Sequence, residues 1–432
     1  MRPLRTAVAA ALLAAIVLTT QAWAAGYAIY EQGAAVLGMA GAGTASVHDA
    51  SAVFYDPAAL TRFEGTMFYV GGSALQPITS FAGTTPYPGY GVTEEMVRQT
   101  FYPPTLYLSH RWNERWAAGL GVNSPYGLGV EWKDADTFTG RGLATKVDLS
   151  TINGSLCLAY AITPSWSVAA GGDVMFAKVK LRNHTLIPIP GGGGATVDVS
   201  ANELTAGYAG APGWNAALHF VPSPQWKLGA FYRSRVVVHL DDGTADFSQI
   251  LTGNPVLDAT VAAELPRSTT ASTVLRFPAL WSIGAAWLPR PEWTIETDFN
   301  LYEWRAFTDL PITFPLAPQL SQDRIEDYSD SWQIRAGMEH RLPAFTYRLG
   351  YYFDRYASPV QSVSVLLPDA SRHGVTLGLG VPFGADKRWS VDAYELALFL
   401  QNRSTDGVNR DRFDGTYKSF VNIAGVGLGF RW

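Results

Sequence analysis

The chain has 432 residues, with 32 Lys and Arg against 37 Asp and Glu, and this net charge of −5 argues against a nucleic-acid partner. Its single cysteine, Cys157, excludes an intramolecular disulfide and any metal site built from cysteines. Aromatic residues make up 13% of the chain and the mean hydropathy is +0.04, which is unusual for a water-soluble protein of this length and predicts that apolar side chains face outward.

Residues 1–24 are predicted to be a signal peptide. Arg2 and Arg5 precede an apolar run over 7–18, and the small-residue motif at 22–24 places cleavage after Ala24. The run is too short to span a bilayer, and no later run approaches the roughly 20 apolar residues that a membrane helix needs. The mature chain is therefore predicted to be exported and to lack a transmembrane helix.

The rest of the chain shows the period of two that is typical of β-strands. In 424–432, apolar residues alternate with Gly and Arg431, and in 332–339 they alternate with polar residues that include Arg335 and Glu339. A soluble sandwich would have to bury these charges or expose the aromatic residues. A barrel with lipid outside and a polar lumen resolves both problems, because its strands alternate apolar-out and polar-in.

Fourteen such strands can be counted, and single-chain bacterial barrels have an even number of strands. Their connections alternate between short and long, as periplasmic turns and external loops do. Tryptophans follow five of the six short turns, at 116, 166, 226, 293 and 389, and are predicted to form an aromatic girdle, although ordinary strand aromatics remain an alternative. The predicted strands are 64–75, 101–111, 115–124, 146–161, 165–181, 213–221, 225–239, 276–288, 292–304, 330–341, 345–353, 371–382, 388–401 and 418–432.

A segment rich in Gly and Ala, residues 25–63, precedes the first strand and has no partner in this pattern. Packing inside the lumen is the simplest prediction for it, because its glycines allow close approach to the wall. The predicted organisation is thus a signal peptide (1–24), an N-terminal hatch or plug (25–63) and a 14-stranded barrel (64–432). The fold class is an all-β transmembrane antiparallel β-barrel.

The sequence resembles the FadL/TodX family of outer-membrane transporters for long-chain fatty acids and other hydrophobic compounds. The resemblance begins in the stretch from "TQAWAAGYAIYEQG" to "SVHDASAVFYDPAAL", and continues in order through "GVNSPYGLGVEW", "GWNAALHF", "FYRSRV", "FPALWSIGAAW" and "YYFDRYASPV". Two departures are visible: Asp56 stands where the family's hatch motif has Asn, and Pro125 makes "NSPYG" differ from the common form of the third strand's kink.

The resemblance implies passive uptake, with capture at external loops, transfer to an inner pocket, hatch movement and lateral release at a kink in the third strand. The kink is expected at Asn123, Ser124, Pro125, Tyr126 and Gly127, since proline cannot donate to a strand ladder. The hatch residues Asp56, Pro57 and Ala58 are expected to lie against this break as a gate. Taken alone, Asp-Pro would be read as a turn and Ser-Pro as a strand end.

The implied substrate is a long-chain fatty acid or another hydrophobic small molecule, with a monoaromatic hydrocarbon as the alternative. Segments 182–194 and 248–265 are expected to form the capture surface, although they could equally pack only on each other. The inner pocket is predicted to involve Ala25, Gly26 and Tyr27. Lys178, Lys180 and Arg182 are the candidates for a carboxylate head, with solvated lumen charges as the other interpretation.

No metal and no cofactor are predicted, and the chain is not expected to be an enzyme. An outer-membrane lipase is a weaker alternative, because no GxSxG elbow is present. A general porin would need an open lumen and a large steady conductance. The predicted location is the outer membrane of a Gram-negative bacterium, where a monomer would contact lipid and lipopolysaccharide.

Overall fold

The computed structural model describes residues 26–189, 195–405 and 407–432. The predicted signal peptide, Ala25 and the run Gly191–Gly194 lie outside these residues. Within them, no helix has the length and apolar character needed to cross a membrane.

Fourteen antiparallel strands form a closed barrel, which confirms the predicted fold class. Each strand pairs with the next, and the first pairs with the last from Met67↔Arg431 to Gly83↔Gly415. The strands are β1 Thr66–Gly83, β2 Pro104–Arg111, β3 Trp116–Asn123 with Gly127–Glu131, β4 Lys146–Ala161, β5 Trp166–Pro188, β6 Thr196–Ser223, β7 Trp226–Arg233 with Val236–Gln249, β8 Ser268–Phe277 with Leu280–Trp287, β9 Trp293–Tyr302, β10 Ser331–Arg341, β11 Thr346–Asp354, β12 Arg372–Phe383, β13 Trp389–Leu400 and β14 Gly415–Arg431.

The alternation along the strands separates a lipid face from a polar interior, as predicted. In β10, Ile334 is 44% exposed, whereas its neighbour Arg335 is 1% exposed. The tryptophans that follow the short turns lie on the outside: Trp116, Trp166, Trp226 and Trp389 are 37–45% exposed. The interior therefore carries the charged and polar groups that a soluble sandwich would have to bury without water.

Several strands are longer than the sequence predicted. The fifth was expected to end at residue 181 and the sixth to begin at 213, but β5 runs to Pro188 and β6 starts at Thr196. Likewise β7 continues to Gln249 and β8 begins at Ser268. These outer extensions are rich in Gly, Ala and polar residues, and their sequence shows no clear alternation of apolar and polar residues. Their strand conformation therefore depends on the ladder with a neighbour.

Short elements cover the outer end of the barrel. Two small strands, Asp309–Thr313 and Gln322–Ile325, form a hairpin, and Thr93–Glu95 and Arg403–Ser404 pair with β1 and β14. One helix, Pro255–Glu264, lies between β7 and β8, with Val256 78% exposed. Three short 3₁₀ segments complete this layer, at Trp304–Ala306, Pro318–Leu320 and Val360–Ser362.

The N-terminal segment contains α1 (Ala34–Gly38), α2 (Ala52–Tyr55) and the 3₁₀ helix Pro57–Arg62. Nearly all of its side chains are buried: Leu37, Ala40 and Ala58 have no exposed surface. Its hydrogen-bond partners lie on the inward faces of the strands, as described below. The segment therefore fills the interior of the barrel and reaches the end where the connections are short, since Arg62 donates to the Pro164 carbonyl in the turn between β4 and β5.

Candidate functional site

Two acidic side chains of β9 hold one turn of the N-terminal segment. The carboxylate oxygen Oδ2 of Asp298 accepts hydrogen bonds from the backbone N–H groups of Gly43 and Thr44, both at 2.9 Å, and from the Thr44 hydroxyl at 2.7 Å. Glu296 accepts the N–H of Ala45 at 2.6 Å and also the hydroxyl of Ser46. Both carboxyl groups are buried, and buried polar groups need hydrogen-bond partners. Here the N-terminal segment supplies the donors.

A second attachment lies on β10 and β12. The Thr376 hydroxyl accepts the N–H of Ala40 at 3.0 Å and lies 2.9 Å from the carbonyl oxygen of Gly38, while Nη1 of Arg335 donates to the Ala40 carbonyl at 2.6 Å. The wall comes this close because small residues face it. At Gly229 of β7, a Cβ atom would lie 2.0 Å from the Thr44 carbonyl oxygen.

Asp56 joins the segment to β6. One carboxylate oxygen accepts the N–H of Ala58 at 3.0 Å and so caps the 3₁₀ helix that Pro57 begins, and the other lies 2.7 Å from Nδ1 of His219. Burial raises the pKa of Asp56, and the charge of His219 together with the hydrogen bonds opposes that rise. Asp56, Pro57 and Ala58 thus act together as an attachment to the wall.

The third strand is broken where the sequence predicted a kink. Its first half ends at Asn123 and its second begins at Gly127, which leaves Ser124, Pro125 and Tyr126 outside the ladder. Proline lacks a backbone N–H and glycine weakens the adjoining strand, so the regular pairing stops here.

The part of the N-terminal segment that contacts this break is Tyr27–Gln32, and not the predicted Asp56–Ala58. Ile29 donates its N–H to the Pro125 carbonyl at 2.8 Å, and Gly127 donates its N–H to the Tyr27 carbonyl at 3.1 Å. Nε2 of Gln32 donates to the carbonyl of Ser124 at 2.9 Å. The expectation for Asp56 was wrong because its carboxylate has a closer partner in His219, on a different part of the wall.

Tyr27 occupies an aromatic cluster above the break. Its ring centroid lies 4.8 Å from that of Trp304 and 5.8 Å from that of Phe307, both in edge-to-face contacts, and 6.2 Å from those of Tyr126 and Phe277. Edge-to-face pairs of this kind stabilise by about 0.5–1.5 kcal/mol each beyond the burial of area. Gly26 also contacts Trp304, since a Cβ atom there would meet the indole at 2.6 Å.

A cavity of about 370 Å³ links the interior to the outside at this break. Its inner wall includes Tyr27, Tyr352 and Leu398, and its middle is formed by the break itself, at Ser124, Tyr126 and Gly127. Its outer wall includes Ile152 and Tyr208, which point away from the lumen and are 38% and 51% exposed. A single apolar cavity therefore reaches from the barrel interior through the wall to the lipid face.

Four charged residues line this cavity: Glu31, Asp148, Arg335 and Arg372. Nε of Arg372 donates to Asp354 at 2.7 Å, and the Arg335 guanidinium lies between the rings of Tyr30 and Tyr352, at 4.2 and 4.3 Å. Burial raises the pKa of Glu31, while the two guanidinium charges oppose that rise. Sequence reasoning placed Arg335 on the polar face of its strand but did not select these residues. The signal available for the two arginines was that each is a charged residue at an inward-facing position of its strand.

Lys178, Lys180 and Arg182 do not line the cavity, so the predicted carboxylate site is corrected here. All three share the outward face of β5 with Val174 and Phe176, which are 45% and 43% exposed. Lys180 and Arg182 each pair with Glu203 of β6 at 2.6 Å, and Nζ of Lys178 lies 5.2 Å from the centroid of the Tyr208 ring. The period of two fixes this side, because Met175 and Ala177 occupy the inward positions.

A groove of about 910 Å³ opens at the outer end of the barrel. It is lined by Leu186, by Phe247 and by Phe314 and Leu320 of the small hairpin. A narrower apolar cavity of about 70 Å³ lies next to it and shares Leu181, Leu204 and Ile312 with it. Of the two predicted capture segments, 182–194 contributes to the groove, whereas the exposed Val256 of the outer helix is not among the residues that line it.

A closed 14-stranded barrel with an apolar exterior, a polar interior filled by the N-terminal segment, and an apolar cavity that crosses the wall defines an outer-membrane transport channel. The sequence matches the family model described as "Outer membrane protein transport protein (OMPP1/FadL/TodX)" over residues 15–432. The chain belongs to this family, and its location is the outer membrane of a Gram-negative bacterium.

Relatives and solved structures agree with this assignment. The chain is 25% identical over 406 residues to the long-chain fatty acid transport protein of Escherichia coli O157:H7. The match covers 88% of this chain and 89% of that protein. The fold is similar to that of a Pseudomonas aeruginosa FadL homologue, with a TM-score of 0.80, 19% identity, and coverage of 94% and 99% of the two chains. It is also similar to the toluene transporter TodX of P. putida, with a TM-score of 0.70, 15% identity, and coverage of 94% and 99%.

Proposed function

We propose that the protein is a non-enzymatic channel for passive uptake of long-chain fatty acids, which enter at the outer groove and leave sideways at the break in β3. The observation that carries the proposal is the cavity that contacts Arg335 and Arg372 at one end and the exposed Ile152 at the other. An alkyl chain gains about 0.8 kcal/mol for each buried CH₂ group, so such a cavity binds it well without chemical change.

The two arginines favour a fatty acid over an uncharged hydrocarbon. A guanidinium group binds a carboxylate through parallel hydrogen bonds, and this interaction is strong where water is excluded. Toluene, the substrate in the name of the TodX structure, has no group that would use these charges. A monoaromatic hydrocarbon would therefore form no ionic interaction with the two guanidinium groups of the cavity.

Glu31 couples binding to opening in this mechanism. It lies in the same short stretch as Ile29 and Gln32, which close the break, and the positive charges of Arg335 and Arg372 attract its carboxylate. A fatty acid carboxylate that binds the two guanidinium groups weakens their attraction for Glu31. The stretch Tyr27–Gln32 is then held less strongly and moves, while the turn held by Asp298 and the helix capped by Asp56 stay fixed to the wall.

In this proposal, residues 25–63 are the hatch and residues 64–432 the barrel, and cleavage of the signal peptide follows Ala24. The channel works as a monomer, because lateral release needs a wall that faces lipid. The surrounding partners are outer-membrane lipid and lipopolysaccharide. A lipase is disfavoured by the match to a transport family, and a general porin is disfavoured by the buried segment in the lumen.

The test is uptake of labelled oleate and labelled toluene in a Gram-negative host that lacks its own long-chain transporter. Wild type is compared with Arg372→Gln and with Lys180→Gln, which removes an outward-facing charge of the same sign. We expect Arg372→Gln to lower oleate uptake at least several-fold and to leave toluene uptake unchanged, with Lys180→Gln resembling wild type.

Uptake of toluene alone by wild type would move the protein to the hydrocarbon branch. Equal loss of both substrates in Arg372→Gln would show that Arg372 supports the structure of the channel and does not select the carboxylate. If wild type assembles but takes up neither, the proposed transport of these substrates is wrong. Planar-bilayer conductance then separates a general porin from a closed barrel, since an open lumen gives a large steady current.

A further inference from the structure

A second interruption lies in the barrel wall, between β6 and β7. Their ladder runs from Gln249↔Ser200 to Thr244↔Thr205 and resumes only at Arg233↔Asn215. Over the described residues 206–213 and 236–243, the two strands are not paired with each other in register, while each remains paired on its other side, β6 with β5 and β7 with β8. The interruption is longer than the three residues missing from the ladder of β3.

The sequence explains why pairing fails here. The stretch 206–213 reads "AGYAGAPG", in which Pro212 cannot donate to a ladder and the glycines weaken the strand. β7 itself is broken at Ser234 and Arg235, and β8 at Pro278 and Ala279. Three neighbouring strands are thus irregular next to one another, whereas β9–β14 pair without a shift in register.

The interruption has an apolar cavity on its inner side. The narrow cavity of about 70 Å³ is lined by Ala206, Leu240 and Gly243 from the two unpaired stretches, with Leu275 of β8 beside them. It shares Leu181, Leu204 and Ile312 with the outer groove. A lipophile in the groove therefore meets this part of the wall before it reaches the cavity at β3.

The outer side of the interruption resembles a rim at the membrane interface. Tyr208 and Trp214 are 51% and 53% exposed, and Nζ of Lys178 lies over the Tyr208 ring. Aromatic rings with a nearby cation suit a molecule with an apolar tail and an anionic head. Gly207 adds no side chain to this outer surface, and a Cβ atom there would have no neighbour within 4 Å.

We propose that this seam, residues 206–213 of β6 and 236–243 of β7, is a second lateral port through which the transported lipophile passes between the outer groove and the membrane. The inference rests on the proposed transport function and adds a route to it. An interrupted ladder in a membrane wall leaves backbone groups without regular partners, which is costly in lipid. A port gives this costly feature a role, and the mostly small side chains of 206–213 allow the seam to widen on the β6 side.

The test locks the seam with a disulfide. Continuing the register of Thr205↔Thr244 by six residues places Ala211 opposite Val238, so the variant is Ala211→Cys/Val238→Cys in a Cys157→Ala background. The matched control is Ala169→Cys/Ala217→Cys, a directly paired position in the intact ladder between β5 and β6. Oleate uptake is measured with each protein oxidised and reduced.

We expect oxidation to lower uptake several-fold in the seam variant and to leave the control unchanged. Unchanged uptake with the cross-link formed would overturn the second port while the proposed function stands. Loss of uptake in the reduced variant and in wild type would instead contradict the proposed function itself.

A second measurement does not depend on the disulfide. A fatty acid with a photoreactive alkyl chain is cross-linked to the cysteine-free protein, and the adducts are mapped. Adducts on the inward-facing Ala211 and Val238 support the port. Adducts confined to the cavity at β3, whose lining includes Tyr208, overturn it.

Discussion

The backbone N–H of Ile29 donates to the carbonyl oxygen of Pro125 at 2.8 Å, and Ala28 forms an antiparallel bridge with Tyr126. The N-terminal segment thus completes the ladder at the point where β3 is broken. The break is closed by a few hydrogen bonds to a short stretch of chain, whereas β9–β14 are held to one another by continuous ladders. Opening at this place requires the loss of only these few hydrogen bonds.

Gln32→Leu should loosen this closure. The side chain is fully buried and donates to the carbonyl oxygens of Ile29 at 3.1 Å and Ser124 at 2.9 Å, so leucine leaves two acceptors unpaired. At about 1 kcal/mol for each bond, we expect amide exchange of Ile29 and Gly127 to rise by roughly tenfold or more. Gln76→Leu, at an exposed position, is the control. Unchanged protection would show that Gln32 does not hold the break closed.

Asp298→Ala should release the central turn of the segment. Three donors, from Gly43 and Thr44, lose their acceptor inside the barrel. Leaving buried donors unpaired should lower the free energy of unfolding by on the order of 3 kcal/mol. Thermal unfolding in detergent and limited proteolysis of the segment measure the effect. Asp298→Asn keeps one acceptor oxygen and should lie between the two, and a variant as stable as wild type would contradict this attachment.

Gly229→Ala should prevent close docking of the segment. The new Cβ atom would lie 2.0 Å from the Thr44 carbonyl oxygen, which is backbone and cannot rotate away. Overpacking of this kind typically costs about 1–3 kcal/mol. The control is Gly154→Ala, where no atom lies within 4 Å of the added carbon. Unfolding temperatures of the two variants give the comparison, and equal values would be inconsistent with close contact at Gly229.

The outer loops should become less stable as pH rises. Burial raises the pKa of Glu326 to about 7 from its ordinary 4.5, although Arg324 lies 2.8 Å away and opposes the rise. Above 4.5 the unfolded loop loses a proton that the folded loop keeps. Its folded state therefore loses stability as pH rises from 4.5 through 7, and changes little beyond.

Exchange protection of the hairpin 309–325, compared at about pH 5 and about pH 8 after correction for intrinsic rates, measures this effect. Glu326→Gln stays neutral and should remove most of the dependence. Wild type with equal protection at both values would contradict the raised pKa. If the pH dependence disappears only when another carboxyl group of the loops is replaced, that group and not Glu326 is its cause.

The barrel, its fourteen strands and the break at 124–126 could all be predicted from the order of the amino acids. These features rest on local chemistry: the period of two separates lipid-facing from inward side chains, and proline removes a ladder donor wherever it stands. The family resemblance rested on motifs that are contiguous in the chain. All of these can be recognised without knowing which strands are neighbours across the lumen.

The contacts across the interior could not be predicted in this way and are visible only in the folded chain. Asp56 contacts His219 and not the break, and the stretch Tyr27–Gln32 contacts Pro125 instead. Glu31, Arg335 and Arg372 come from distant parts of the chain and line the same cavity. Lys178 lies outside the wall, since one residue of phase along β5 decides the face. Contacts across the interior depend on how a plug of some forty residues sits among fourteen strands, and the alternation of a single strand carries no information about that.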